Sequence, residues 1–113
     1  MDREELILLF DYYGDLLTDR QKECFELRYG QDLSYGEIGE ELGISRQGVF
    51  DNLSRAEALL CNMEEKTGCV RRDRMCRDVA QRVSELAEQL HTHPDAQVSV
   101  LAREILDQLQ KLQ

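Results

Sequence analysis

The side chains best suited to recognise another molecule are concentrated in Ile44-Ser45-Arg46-Gln47-Gly48-Val49-Phe50-Asp51-Asn52-Leu53-Ser54-Arg55. Arg46 and Gln47 are adjacent, and each carries two hydrogen-bonding groups at the separation of a base edge, which suits arginine to guanine and glutamine to adenine. Arg55 is spaced for a phosphate, with Asp51 and Ser54 behind the leading residues on the same outward face. Ser45, placed just before a helix, leaves exposed backbone amides that form a weak anion site. Phe50 is the informative apolar residue, because an outward-facing ring is costly unless DNA, the C-terminal helices or another chain covers it. Each of these has a plainer reading: Arg55 pairs with Asp51 one turn earlier, Ser45 is only a cap, and Arg46 and Gln47 are solvated surface residues.

A second basic run, Arg71, Arg72, Arg74 and Arg77, reads either as a phosphate patch or as a solvated linker partly neutralised by Asp73 and Asp78. Catalytic arrangements are missing from the pattern. No Gly-rich loop follows a strand, no Ser/His/Asp or Cys/His spacing stands out, and an enzyme is not expected. Cys24, Cys61, Cys69 and Cys76 include no Cys-x-x-Cys pair, and His91 and His93 flank a turn, so neither a metal nor a cofactor is expected.

Recognition residues need helices to hold them, and the periodicity supplies these. Leu6, Leu9, Phe10, Tyr13 and Leu17 recur at three- and four-residue steps, predicting a helix from Arg3 or Glu4 that stops near Gly14. Thr18 with Gln21, and Ser34 with Glu37, are capping boxes opening the next two helices. Cys24, Phe25 and Tyr29 are expected to face inward from the second, which Gly30 closes, and Tyr35, Ile38 and Leu42 from the third. Gly43-Ile44 then reads as a tight turn, since glycine takes positive φ without a Cβ clash. Ser45 caps a fourth helix through about Met63, with Val49, Leu53, Ala56 and Leu60 inward.

Beyond Gly68 the pattern changes to narrow stripes: Val79, Val83, Leu86 and Leu90, a break at Thr92-His93-Pro94, then Val98, Leu101, Ile105, Leu109 and Leu112. These stripes require a partner surface, so a homodimer is expected, or else a hairpin folded back on the N-terminal core. The expected organisation is a helix-turn-helix domain over residues 1–66 and a helical extension over 67–113, used for oligomerisation or docking.

Composition agrees with an all-α class, with 42% apolar and 33% charged residues, seven Gly and one Pro. No signal segment or membrane-length apolar run is present, so a cytoplasmic protein without membrane insertion is expected. Charge argues the other way from nucleic acid: 14 basic against 23 acidic side chains give a net charge of −9, which repels a polyanion at long range. Only Cys61 to Asp78, with five basic and four acidic residues, is positive.

The run Ser34-Tyr35-Gly36-Glu37-Ile38-Gly39-Glu40-Glu41-Leu42-Gly43-Ile44-Ser45, preceded by Leu17-Thr18-x-Arg20-Gln21-x-x-x-Phe25-x-Leu27-Arg28-Tyr29, resembles region 4 of sigma factors, the promoter-reading helix-turn-helix. Leu9-Phe10-Asp11-Tyr12-Tyr13-Gly14, together with Ser45 through Leu60, is similar to the YlxM-like family of small bacterial helix-turn-helix proteins. That resemblance implies a bacterial, sigma-like DNA-binding fold linked to the signal recognition particle pathway. It makes DNA the expected partner, with the particle's RNA or protein components as others. The alternative it leaves is an adaptor that keeps the helix-turn-helix as a scaffold and binds a particle component without DNA. Gly39 and Gly48 depart from the small non-glycine residues usual at such positions, each costing a helix roughly 1 kcal/mol relative to Ala.

Overall fold

The computed structural model describes residues 2–112. Among them are six α-helices and no strand. The chain divides into two compact units, Met1–Val70 and Arg71–Gln113.

In the first unit, α1 covers Arg3–Tyr13. Asp2 caps it by accepting from the Glu5 amide at 2.8 Å, and the acidic side chains Glu4 and Glu5 sit favourably at the positive end of the helix dipole. A short 3₁₀ turn, Gly14–Leu16, leads to α2, Asp19–Phe25. Both halves of the Thr18/Gln21 capping box are formed. The helix does not simply run on to Gly30, because residues Glu26–Gly30 widen into a π turn. Such turns leave backbone groups to be satisfied elsewhere, and here the Leu27 carbonyl accepts from the Leu33 amide while the Tyr29 carbonyl accepts from Arg3.

Helix α3 covers Tyr35–Leu42, opened by the complete Ser34/Glu37 capping box. Gly43 follows in the left-handed region at φ 71°, and α4 covers Arg46–Thr67. The long α4 runs against α1, α2 and α3, and its Val49, Leu53, Ala56 and Leu60 line the core as their spacing predicts. Leu6, Leu9, Tyr13 and Leu17 meet them from the front of the chain, with Cys24, Phe25 and Ile38 between. Phe10 is only partly buried and stacks on Phe25, with ring centroids 4.5 Å apart.

Tyr35 corrects the expectation that it faces inward: it is exposed. As the first residue of α3 it precedes the turn that packs on α4, and Ile38 carries the burial instead. Gly39 has a structural reason as well as a cost. A Cβ there would stand 2.7 Å from the Ile44 carbonyl oxygen, so the turn closes against bare backbone.

Helix α5 covers Cys69–His91 and α6 covers Ala96–Gln110. Gly68, at φ 63°, ends α4 directly before α5. The first residues of α5 belong to the N-terminal core: Val70 is buried in it, and its amide donates to Glu64 Oε1 at 3.0 Å. Tyr13 donates to the same Glu64 oxygen at 2.7 Å, and burial first of all pushes the Tyr13 phenol above its ordinary pKa.

The second unit is a helical hairpin. The break falls at Thr92-His93-Pro94, and Asp95 caps α6 by accepting from the Gln97 and Val98 amides. Ser99 Oγ donates to the His91 carbonyl across the turn at 2.8 Å. The segment Arg71 to Arg77 is helical, the first turns of α5, and not a linker. At 3.6 residues per turn its arginines spread around the helix.

Candidate nucleic-acid interface

The turn between α3 and α4 sets the geometry. The Ser45 hydroxyl accepts from the Gly48 amide at 2.9 Å, fixing the first turn of α4 with no acidic residue in it. Val49 and Leu53 point into the core, so helical spacing directs Gln47 and Phe50 away from it, whereas Arg46, one turn before Val49 on the same side of α4, escapes burial by lying past the core over α3. Ser45, Arg46, Gln47, Phe50, Asp51, Ser54 and Arg55 are all exposed.

Their partners differ. Gln47 Nε2 donates to Asp51 Oδ1 at 3.0 Å, so this amide is held within the helix surface. The pairing of Asp51 with Arg55 is not formed. Among the described residues, neither Arg46 nor Arg55 has a carboxylate within ion-pair distance. The Arg46 guanidinium lies over α3, where a Cβ on Gly36 would be 3.0 Å from its Nε. Gly36 therefore leaves room for it.

Two further residues of this surface escaped the sequence reading. Tyr35 meets Phe50 with ring centroids 6.1 Å apart and planes tilted by 58°. Arg28 lies over the Tyr35 ring, 4.9 Å from its centroid, while its Nη1 donates to the Leu33 carbonyl at 2.9 Å. Phe50 nevertheless stays 48% exposed, so Tyr35 covers only part of it. Arg28, Ser34, Tyr35, Gly36 and Arg46 line a shallow hollow of about 370 Å³. The signal for Tyr35 was available in its place directly after the Ser34 cap. For Arg28 there was none, because the π turn aims it.

Carboxylates border the same region. Glu37 and Glu40 share a neighbouring cleft with Ser45 and Arg46. The Glu37 carboxyl is held below its ordinary pKa by the Ser34 amide and then by the Ser34 hydroxyl, and so stays ionised. The surface is thus mixed: arginines and two aromatic rings at the leading edge, with acidic side chains beside them. Arg71, Arg72, Arg74 and Arg77 belong to the hairpin unit and are all exposed.

Among the described residues, no group of three or more His, Cys, Asp or Glu side chains is arranged to hold a metal. No described helix is long and apolar enough to cross a membrane.

Residues 1–100 match the model of the family described as "UPF0122: Putative helix-turn-helix protein, YlxM / p13 like". The chain belongs to this family. A UPF0122 protein of Geobacillus kaustophilus is 40% identical over 101 residues, covering 89% of this chain and 90% of the relative. One from Bacillus cereus is 39% identical over 100 residues, covering 88% and 91%. A UPF0122 protein of Thermoanaerobacter is 58% identical over 67 residues, where the match covers 59% of this chain and 57% of the relative. With that last relative, then, the match spans little more than half of either chain.

Proposed function

We propose that this UPF0122 protein is a cytoplasmic regulator that binds duplex DNA with the leading edge of α4. The observation that carries the reading is the exposure of Arg46 in the first turn of α4, free of any described carboxylate partner. A recognition helix enters the major groove by its N-terminal end. Arg46 then pairs with a guanine edge. Gln47 exchanges Asp51 for adenine, and the Phe50 ring packs on a thymine methyl. Ser54 and Arg55, further along α4, contact phosphate, and Arg28 adds positive charge in the hollow beside Arg46. The arginines from Arg71 to Arg77 supply further phosphate contacts, to DNA or to the RNA of the signal recognition particle. The link to that pathway is carried by the family resemblance.

A second reading is favoured by charge. Residues 1–70 hold seven basic and 16 acidic side chains, so this unit carries the entire −9 of the chain. A helix-turn-helix reused as an adaptor would dock a basic component of the signal recognition particle with this acidic unit.

Gel retardation of mixed-sequence duplexes at low and physiological salt separates the two. DNA binding predicts a shift that weakens steeply with salt, and a loss of about 5- to 150-fold in affinity for Arg46→Ala at the preferred site. No retardation even at low salt removes the DNA reading and leaves the adaptor.

A further inference from the structure

The α5–α6 hairpin buries little between its own helices: Ala87, Ala102 and Leu106 are its buried apolar side chains. Its larger apolar residues face outward. On α5 these are Met75, Val79, Val83, Leu86 and Leu90, from 37% to 63% exposed. On α6, Leu101 and Ile105 are 57% and 41% exposed, and Leu112, in the turn just past its end, is 73% exposed.

The two sets share one side of the hairpin. With 3.6 residues per turn, the α5 stripe lies roughly 80° from the seam marked by Ala87, and the α6 stripe roughly 100° from that marked by Ala102 and Leu106. Both offsets have the same rotational sense along the chain. Because the start of α5 and the end of α6 line one groove, the helices run in opposite directions, and the reversal brings both stripes to the same face. Val100, 61% exposed, falls on the other side.

Area and charge both identify what covers this face. The exposed parts of these eight side chains amount to on the order of 700 Å² per copy, or about 1,400 Å² for a pair, within the roughly 1,200–2,000 Å² of stable interfaces. The hairpin unit has seven basic and seven acidic residues, so it carries none of the net charge that makes the other unit self-repelling. Those charges are split end to end. The start of α5 with the end of α6, residues 71–78 and 106–113, holds five basic and three acidic side chains. The remainder, residues 79–105, holds two basic and four acidic.

We infer that two copies of this chain join through this face about a two-fold axis lying across the helices, with α5 of one copy antiparallel on α5 of the other. This axis sets each positive end on a negative one, whereas an axis along the helices would stack like ends. It passes near Val83 and Ile105, the midpoints of the two stripes. The inference deepens the expected homodimer and is independent of whether α4 reads DNA.

Sedimentation velocity at micromolar concentration, without nucleic acid, tests it. The native chain sediments as a dimer, Leu86→Glu and Leu101→Glu as helical monomers by circular dichroism, and Val100→Glu as a dimer. For the orientation, Val83→Cys in a Cys76→Ser background forms a disulfide-linked dimer on mild oxidation, since the two copies of position 83 face each other. Cys76 in the native chain does not link to its twin, which lies about 20 Å away along the antiparallel helices. A monomeric native chain, or dimers that survive both Glu substitutions on the face, overturns the interface. A dimer linked through Cys76 and not through Val83→Cys overturns the antiparallel arrangement.

Discussion

Single contacts in this protein tie distant segments together, and Tyr29 shows how one of them responds to pH. Its hydroxyl donates to Glu57 Oε1 at 2.6 Å, fastening the π turn to α4. Burial first, and then this bond to a carboxylate, push its pKa from 10.0 up to about 12. The folded protein therefore holds the phenolic proton more tightly than the unfolded chain. That contribution is complete below pH 10.0 and is lost as pH rises toward about 12. Urea midpoints measured across this window should fall for the native chain. They should fall less for Tyr29→Phe, which starts about 0.5–1.5 kcal/mol less stable at neutral pH because its hydrogen bond is gone. An unchanged alkaline slope would mean that Tyr29 does not carry this dependence. Gly39 supports a second prediction at this scale. Alanine is the better helix former by roughly 1 kcal/mol, yet its Cβ would lie 2.7 Å from the Ile44 carbonyl. Backbone cannot give way as a flexible side chain can, so Gly39→Ala should destabilise by about 1–3 kcal/mol in denaturant titration.

The helices themselves were largely legible, because their signals are local. Ser34 with Glu37 and Thr18 with Gln21 form reciprocal caps between residues three apart, and both are made as the spacing predicts. The alternation of Val49, Leu53, Ala56 and Leu60 likewise fixed the inward face of α4. What escaped depends on contacts remote in sequence. The π turn at Glu26–Gly30 is held by Arg3 and Leu33, so no local pattern announces it, and with it went the placement of Arg28 over Tyr35. Gly39 looked like a cost until the approach of Ile44 supplied its reason. The start of α4 separates structural from recognition roles within two adjacent residues. Ser45 binds the Gly48 amide, whereas Arg46 has no described carboxylate partner. Ser45→Ala should lower unfolding stability by about 1 kcal/mol, while Arg46→Ala should leave it within about 0.5 kcal/mol. Equal losses from both would assign Arg46 a structural role and weaken its use as a reader of bases.

At the scale of the whole chain, two units with different sources of stability share one polypeptide. The N-terminal unit has a core contributed by α1 to α4, closed by Val70. Among its described residues the hairpin buries only the apolar side chains of Ala87, Ala102 and Leu106, and a two-helix seam of that size is weak support for 43 residues. If association through the exposed face stabilises the hairpin, mass action makes its unfolding depend on protein concentration, because dilution favours the unpaired form. The N-terminal core has no such dependence. Thermal unfolding followed by circular dichroism should then show a transition whose midpoint rises with concentration and a second whose midpoint does not. Leu86→Glu should lower the first selectively, and added salt should raise the second, since only residues 1–70 carry excess charge and repel themselves. A single concentration-independent transition would show instead that the hairpin holds its structure without a second copy, and that its apolar face is not what stabilises it.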